Sequence, residues 1–266
     1  MKGMIRLELF KLRRSKYPYL LLGIFLLILL LEGIFVTLFP LDISQGNLLR
    51  GAVPCLLTGG YLLCYVIFTV LFVRSDVRGG FWRNIAALPH AHRNLWLAKS
   101  LIIALYGLVL ILAGCVVLAG FYGFGGTFPV PFHAHTVPEL LLLWLMSFLM
   151  MEGWKGLTYL CCRHDVSLIA ALAMGTGLLR MAAYGTDYFL DRLQITGRGI
   201  FSALLPENYL QLIPEFFQAP TRAYHYARFT ESTNFYFALP QGLLLTAAFA
   251  AVLSTIGYIR FCRREI

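Results

Sequence analysis

The stretch "YPYLLLGIFLLILLLEGIFVTLF", from Tyr17 to Phe39, holds a single charged residue, Glu32, in an otherwise apolar run. A helix needs about 20 mostly apolar residues to cross about 30 Å of hydrocarbon, and this run is long enough. Working outward from it, six such windows emerge, at about 18–39, 52–73, 96–120, 138–160, 166–186 and 238–259. The rest of the composition agrees. The chain of 266 residues is 59% apolar and 13% charged, with a mean hydropathy of +0.73. That is too few charges to cover a globular surface and too much apolar area for one soluble core. The expected fold is an all-α membrane protein of six transmembrane helices, in a single domain spanning 1–266.

The basic start "MKGMIRLELFKLRRSK" precedes the first window in the way that an n-region precedes a signal peptide's apolar core. The apolar run exceeds the usual 7 to 15 residues, and no small-x-small cleavage pattern follows "LFPLDISQ", so a retained span is expected. Residues 4–16 place Ile5, Leu9 and Leu12 at i, i+4 and i+7 among five cations, the pattern of an elbow helix lying in the interface before Pro18.

Orientation follows from Lys and Arg. With both termini cytoplasmic, sixteen fall on the cytoplasmic side and five outside, with Arg180 left within the fifth window. This positive-inside bias predicts an N-in, C-in protein of the cell membrane. The net charge of +9 then reports topology and anionic headgroups rather than nucleic acid.

Chemistry has little to stand on. There is no G-x-x-x-x-G-K-[ST] loop, no H-E-x-x-H and no Cys pair at metal spacing. The triplets His90/His92 and His133/His135 each offer two ligands, which do not close a metal site. Cys161 and Cys162 are adjacent and read as small apolar fillers, with acylation as the other reading. The segment 187–237, with Pro206, Pro214 and Pro220 among aromatics, reads as short helices at the outer interface.

Charges inside spans are costly and call for partners. Glu32 and Arg180 each lie about 15 residues into their windows, roughly 22 Å from the cytoplasmic edge at a 1.5 Å rise. Sharing a depth, they either pair as a clamp, flank a polar pathway, or reach the outer interface independently. Glu152 and Lys155 stand at i, i+3 and can neutralise each other within one helix. Gly175, Gly177 and Ala171 to Ala173 allow close helix approach.

Between the second and third windows runs "VRGGFWRNIAALPHAHRNLWLAKS". Phe81, Ile85 and Leu88 fall at i, i+4 and i+7 with Trp82 alongside, while Arg78 and Arg83 take other faces. Gly79 and Gly80 open this helix and Pro89 closes it. Asn94 offers an N-cap for the third span, with Trp96 and Lys99 at headgroup level. Such a stripe floats in the interface or inserts into a partner's groove.

Together with "IRLELFKLRRSKYPYLLL" at the start and "IGYIRFCRREI" at the end, "LPHAHRNLWLAKSLI" resembles the membrane subunit of type-2 ABC exporters, the permease group that includes bacteriocin-immunity and drug-efflux subunits. The likeness covers the whole chain in order and span count; the acidic residue expected before the glycine turn is represented by Asp76. The resemblance implies a coupling helix at about Gly79 to Leu88 that docks on a separate ATPase subunit, which would bind ATP and Mg. Phe81, Trp82, Ile85 and Leu88 would make the contact, and Arg78 and Arg83 would orient it. A second permease subunit, identical or paralogous, would complete the pathway for an antimicrobial peptide, drug or lipid. The alternative is an ATP-independent ion-coupled carrier or channel working through Glu32, Glu152 and Arg180.

Overall fold

The computed structural model describes residues 2–38, 52–79, 91–125, 135–161, 164–193, 200–210, 212–218, 224–226, 235–237 and 239–263. In chain order these form α1 (Lys2–Arg14), α2 (Tyr17–Leu38), α3 (Ala52–Thr58), α4 (Tyr61–Gly79), α5 (Ala91–Gly125), α6 (Thr136–Leu160), α7 (His164–Gly175) and α8 (Leu178–Arg192). Then come the short helices α9 (Ile200–Ala203), α10 (Glu207–Leu210) and α11 (Ile213–Gln218), the strands β1 (Tyr224–Tyr226) and β2 (Phe235–Phe237), and α12 (Leu239–Arg263).

Among the described residues, four helices, α2, α5, α6 and α12, are long and apolar enough to cross a membrane unaided. The windows at 52–73 and 166–186 are not straight spans. Each is a bent pair, α3 with α4 at 57° and α7 with α8 at 73°, so the count reaches six if each pair crosses once. Glycine makes both breaks: Gly60 and Gly177 adopt φ of 83° and 76°, a left-handed conformation in which a side chain is disfavoured. The ladder resumes at once, with Cys64 N–H donating to Gly60 O and Met181 N–H to Gly177 O.

The core sits around α4, whose Tyr61, Tyr65, Phe68 and Phe72 are fully withdrawn among Phe25 of α2, Ile103 and Tyr106 of α5 and Met146 of α6. Phe68 stacks on Tyr106 at 3.6 Å between centroids. By contrast α2 and α12 expose much of their length, through Leu20, Leu27, Leu31, Leu244 and Val252 among others. Exposed aliphatic faces on apolar helices suit lipid as their solvent.

The closest helix contact is α6 against α12. A Cβ on Gly257 would stand 2.5 Å from Gly156 Cα, and one on Gly156 would strike the Leu253 carbonyl, so the two backbones touch. Small residues are the ordinary device for this in lipid. Gly175 serves likewise, letting α7 pack on the Leu63 backbone of α4.

Three expectations change. First, the segment 187–237 is not purely helical: β1 and β2 form an antiparallel pair with Tyr224 opposite Phe237 and Tyr226 opposite Phe235. Runs of aromatics such as "YHY" and "FYF" favour a pleated strand over a helix. Second, the Ile5, Leu9, Leu12 stripe of α1 is not a single face toward one environment, since Leu12 packs against the core. Leu9 and Phe10 are exposed beside Arg6, Arg13 and Arg14, while Glu8 faces inward. Third, Gly79 does not open a new helix, because α4 runs through Arg78 to Gly79; and α5 begins at Ala91, which places Asn94 inside a helix rather than at its cap. Residues 80–90, with Phe81, Trp82, Arg83, Ile85 and Leu88 of the expected coupling helix, lie outside the described residues.

Candidate functional site

Two lysines lie fully buried where α5 leaves the 80–90 segment, and each is satisfied in the same manner. Lys99 Nζ reaches Glu8 Oε2 of α1 at 3.4 Å and the Phe72 carbonyl of α4 at 3.3 Å, and sits 4.1 Å above the centre of the Phe72 ring. Lys155 Nζ donates to Glu152 Oε2 at 2.6 Å and to Ser100 Oγ at 2.5 Å, and sits 4.2 Å from the centre of the Trp96 ring. A carboxylate, a neutral oxygen and an aromatic face thus surround each ammonium, which is how a charge is tolerated away from water.

Glu8 also accepts from Lys11 at 2.7 Å, and its side chain, like that of Lys99, has no exposure at all. Lys99 is therefore enclosed by the bundle. It points between α1 and α4, about 100° around α5 from Ser100. Ser100 faces α6, donating to Glu152 Oε2 at 3.2 Å. Trp96 packs on Tyr159 of α6 and on Tyr258 and Phe261 of α12, with centroids 5.3 to 5.6 Å away.

Glu32 stands at the other bent region. The Thr58 hydroxyl, in the last turn of α3 before the break, donates to Glu32 Oε1 at 2.5 Å, while Glu32 Oε2 is buried without a hydrogen-bond partner. Arg180, just beyond the second break, lies beside Gly177 and acts electrostatically on Glu207 of α10. None of the ion pairs among the described residues joins Glu32 to Arg180.

Glu207 is buried, and neither of its carboxylate oxygens has a hydrogen-bond partner. Burial pushes its carboxyl up to about 7, and the positive charge of Arg180 pulls it only part of the way back. Around it the short helices are held by side chains rather than by a ladder. Asp187 of α8 accepts from Phe201 N–H at 3.0 Å and from Ser202 N–H at 2.7 Å, serving as a cap brought from fifteen residues away. Asn208 Nδ2 donates to Ser202 O at 2.7 Å, and the Tyr209 hydroxyl to Ala203 O at 2.9 Å.

The histidines take aromatic neighbours. His92 meets Phe261 edge-on and His135 stacks on Phe217; His90 and His133 lie outside the described residues. Among the described residues no group of three or more His, Cys, Asp or Glu is arranged to hold a metal ion.

The contacts of Glu8, Lys99, Ser100, Thr58 and Glu207 escape a reading of the sequence because their partners are distant along the chain. One signal was present for Glu8, the lone acid in a helix with five cations.

The family model for ABC-2 family transporter proteins matches residues 4–153, more than half of the chain. Comparison with the curated proteins and with the solved structures finds no match.

Proposed function

Because the chain belongs to the ABC-2 family of transporter proteins, we propose that it is the membrane-spanning permease subunit of an ATP-driven exporter, served by a separate ATPase subunit. The family match over α1 to α6 carries this reading. It joins a bundle of helices with apolar outer faces to a sequence that contains no phosphate-cradling loop of its own.

In the full proposal both bent pairs cross the membrane, giving six crossings with both termini cytoplasmic, as the sixteen-to-five distribution of cations supports. Residues 80–88 then form the coupling helix. Phe81, Trp82, Ile85 and Leu88 enter a groove on the ATPase, oriented by Arg78 and Arg83. ATP and Mg bind the ATPase, whose closure shifts the permease between two packed arrangements. A second permease subunit, identical or paralogous, completes the pathway. The cargo is amphipathic or lipophilic, an antimicrobial peptide, drug or lipid, since the spans offer few polar groups to coordinate an ion or a sugar. Glu32, Glu152 and Arg180 act as structural clamps in this reading rather than as coupling-ion ligands, which fits the local partners of the first two.

Purification of the tagged chain from its native host tests the proposal. A P-loop ATPase is expected at stoichiometric amount, and Ile85→Asp is expected to abolish its recovery while the chain still inserts. Consistent absence of any ATPase from the wild-type preparation overturns the reading.

A further inference from the structure

We infer that the C-terminal end of α12, together with Leu160 of α6, holds one anionic phospholipid. The site is a cleft of about 440 Å³ lined by Leu160, Ile256, Ile259, Arg260 and Arg263. The four residues from α12 stand at i, i+3, i+4 and i+7, so they form a single stripe, apolar over its first turn and cationic over its second.

Packing of α6 on α12 places the cleft. The two helices touch at Gly156 and Gly257, and Leu160 and Arg260 lie about one turn farther toward the same end. The opposite side of α12 is fixed, since Phe261 packs on Trp96, Tyr159 and His92 with centroids 4.9 to 5.7 Å away. On the cleft side Ile256 and Ile259 are each 45% exposed, and Arg260 and Arg263 are exposed beside them.

Depth and charge select the occupant. Residues 239–259 carry no charge and cover about 30 Å at a 1.5 Å rise, the thickness of the hydrocarbon core, so Arg260 marks its boundary. An isoleucine turn inside that boundary and an arginine pair at its edge repeat the order of a lipid, acyl chain then phosphate. The guanidinium fork matches a phosphate in two hydrogen bonds, and the arginine stem lies along apolar surface. The helix ends themselves offer carbonyls, which repel an anion, so the attraction falls on the two guanidiniums. A soluble anion would leave Leu160, Ile256 and Ile259 uncovered, and a zwitterionic lipid offsets its phosphate with its own cation. The inference requires that α12 cross the membrane and is independent of any ATPase.

Native mass spectrometry of the full chain, released from detergent micelles with dioleoylphosphatidylglycerol or dioleoylphosphatidylcholine added, tests this. One phosphatidylglycerol is expected to be retained in preference to phosphatidylcholine. Changing either arginine to glutamine is expected to weaken retention about fivefold, and Arg260→Gln with Arg263→Gln roughly 25-fold. Arg13→Gln with Arg14→Gln removes the same charge from α1 and is expected to leave retention unchanged. Ile259→Ser, with every charge intact, is expected to weaken it as well. Should the α12 double variant fail to fold, Arg263→Gln and Ile259→Ser decide the matter.

Equal retention of the two lipids overturns the inference, as does equal loss in the α1 and α12 double variants, which makes the binding diffuse. Displacement of the lipid by inorganic phosphate makes the cleft a site for a soluble anion and also overturns it. So does a preparation from the native membrane that carries no anionic lipid, or one in which an acidic protein is cross-linked to this end of α12 in the lipid's place.

Discussion

Glu8 and Lys99, 91 positions apart in the chain, meet with both side chains withdrawn from solvent, and the two are not equally dependent on each other. Without Lys99, Glu8 still has Lys11 at 2.7 Å; without Glu8, Lys99 loses a buried carboxylate and retains the Phe72 carbonyl and ring among its contacts. The effects of removal are therefore asymmetric. Glu8→Leu removes a carboxylate from beside a buried ammonium and is expected to cost about 3–5 kcal/mol, whereas Lys99→Met is expected to cost about 1–3 kcal/mol. The double variant is expected to be more stable than Glu8→Leu alone. Thermal unfolding in detergent across this cycle measures the coupling, and strict additivity of the two single changes refutes it.

The α6–α12 crossing yields a second prediction from geometry alone. At Gly156 the obstacle to a Cβ is the Leu253 and Ser254 backbone, which cannot rotate away as a side chain does. Gly156→Ala is expected to destabilise by about 1–3 kcal/mol, the range for overpacking. Gly23→Ala provides the contrast, because nothing stands within 4 Å of a Cβ there and the helix gains up to about 1 kcal/mol from the better helix former. Equal melting temperatures for the two variants would contradict so close a crossing.

What the sequence disclosed and what it hid divide along one physical line. Long apolar runs such as Tyr17 to Phe39 announce spans because a local property, length without charge, is sufficient. The Glu152–Lys155 contact was legible for the same reason, three residues apart on one helix. Glu32 and Arg180 were placed at equal depth by counting helical rise. That count assumes a straight helix from Asp165, and the 73° bend at Thr176 and Gly177 removes the assumption; depth also says nothing about which way around the bundle a side chain faces. The doublet Gly59–Gly60 carried the signal of the first break, hidden within a run apolar enough to pass as one span. The Glu8–Lys99 contact depends on how α1 docks, which no local pattern encodes.

Glu207 makes stability depend on pH with a definite sign. Its carboxyl is raised from an ordinary 4.5 to about 7 in the folded chain, so between these values the folded state keeps a proton that the unfolded state releases. Stability attributable to this group is therefore constant below about 4.5, falls as pH rises toward 7, and stays low above it, a change on the order of 3 kcal/mol. Glu207→Gln, which mimics the neutral form, is expected to remove this component and to melt higher than the wild type at pH 8. Arg180→Met is expected to move the transition to higher pH, since the Arg180 charge lowers the Glu207 value. Parallel melting curves for wild type and Glu207→Gln from pH 4 to pH 8 would rule out a neutral buried carboxyl.

The two glycine breaks allow backbone strain to be separated from crowding. A Cβ on Gly60 would meet Ile28 Cδ1 at 3.4 Å, and one on Gly177 would meet Arg180 Nη2 at 3.6 Å, both ordinary contacts, so steric overlap contributes little at either site. What remains is the left-handed φ. Alanine at either position is expected to cost about 1–2 kcal/mol, the penalty for placing an L side chain in that region. Asparagine, which visits the region more readily, is expected to cost less despite its larger side chain. The order glycine, asparagine, alanine in melting temperature thus identifies the bend itself as the source of strain. If asparagine proves worse than alanine at both positions, side-chain volume governs the breaks and the left-handed bends do not set the course of these two helix pairs.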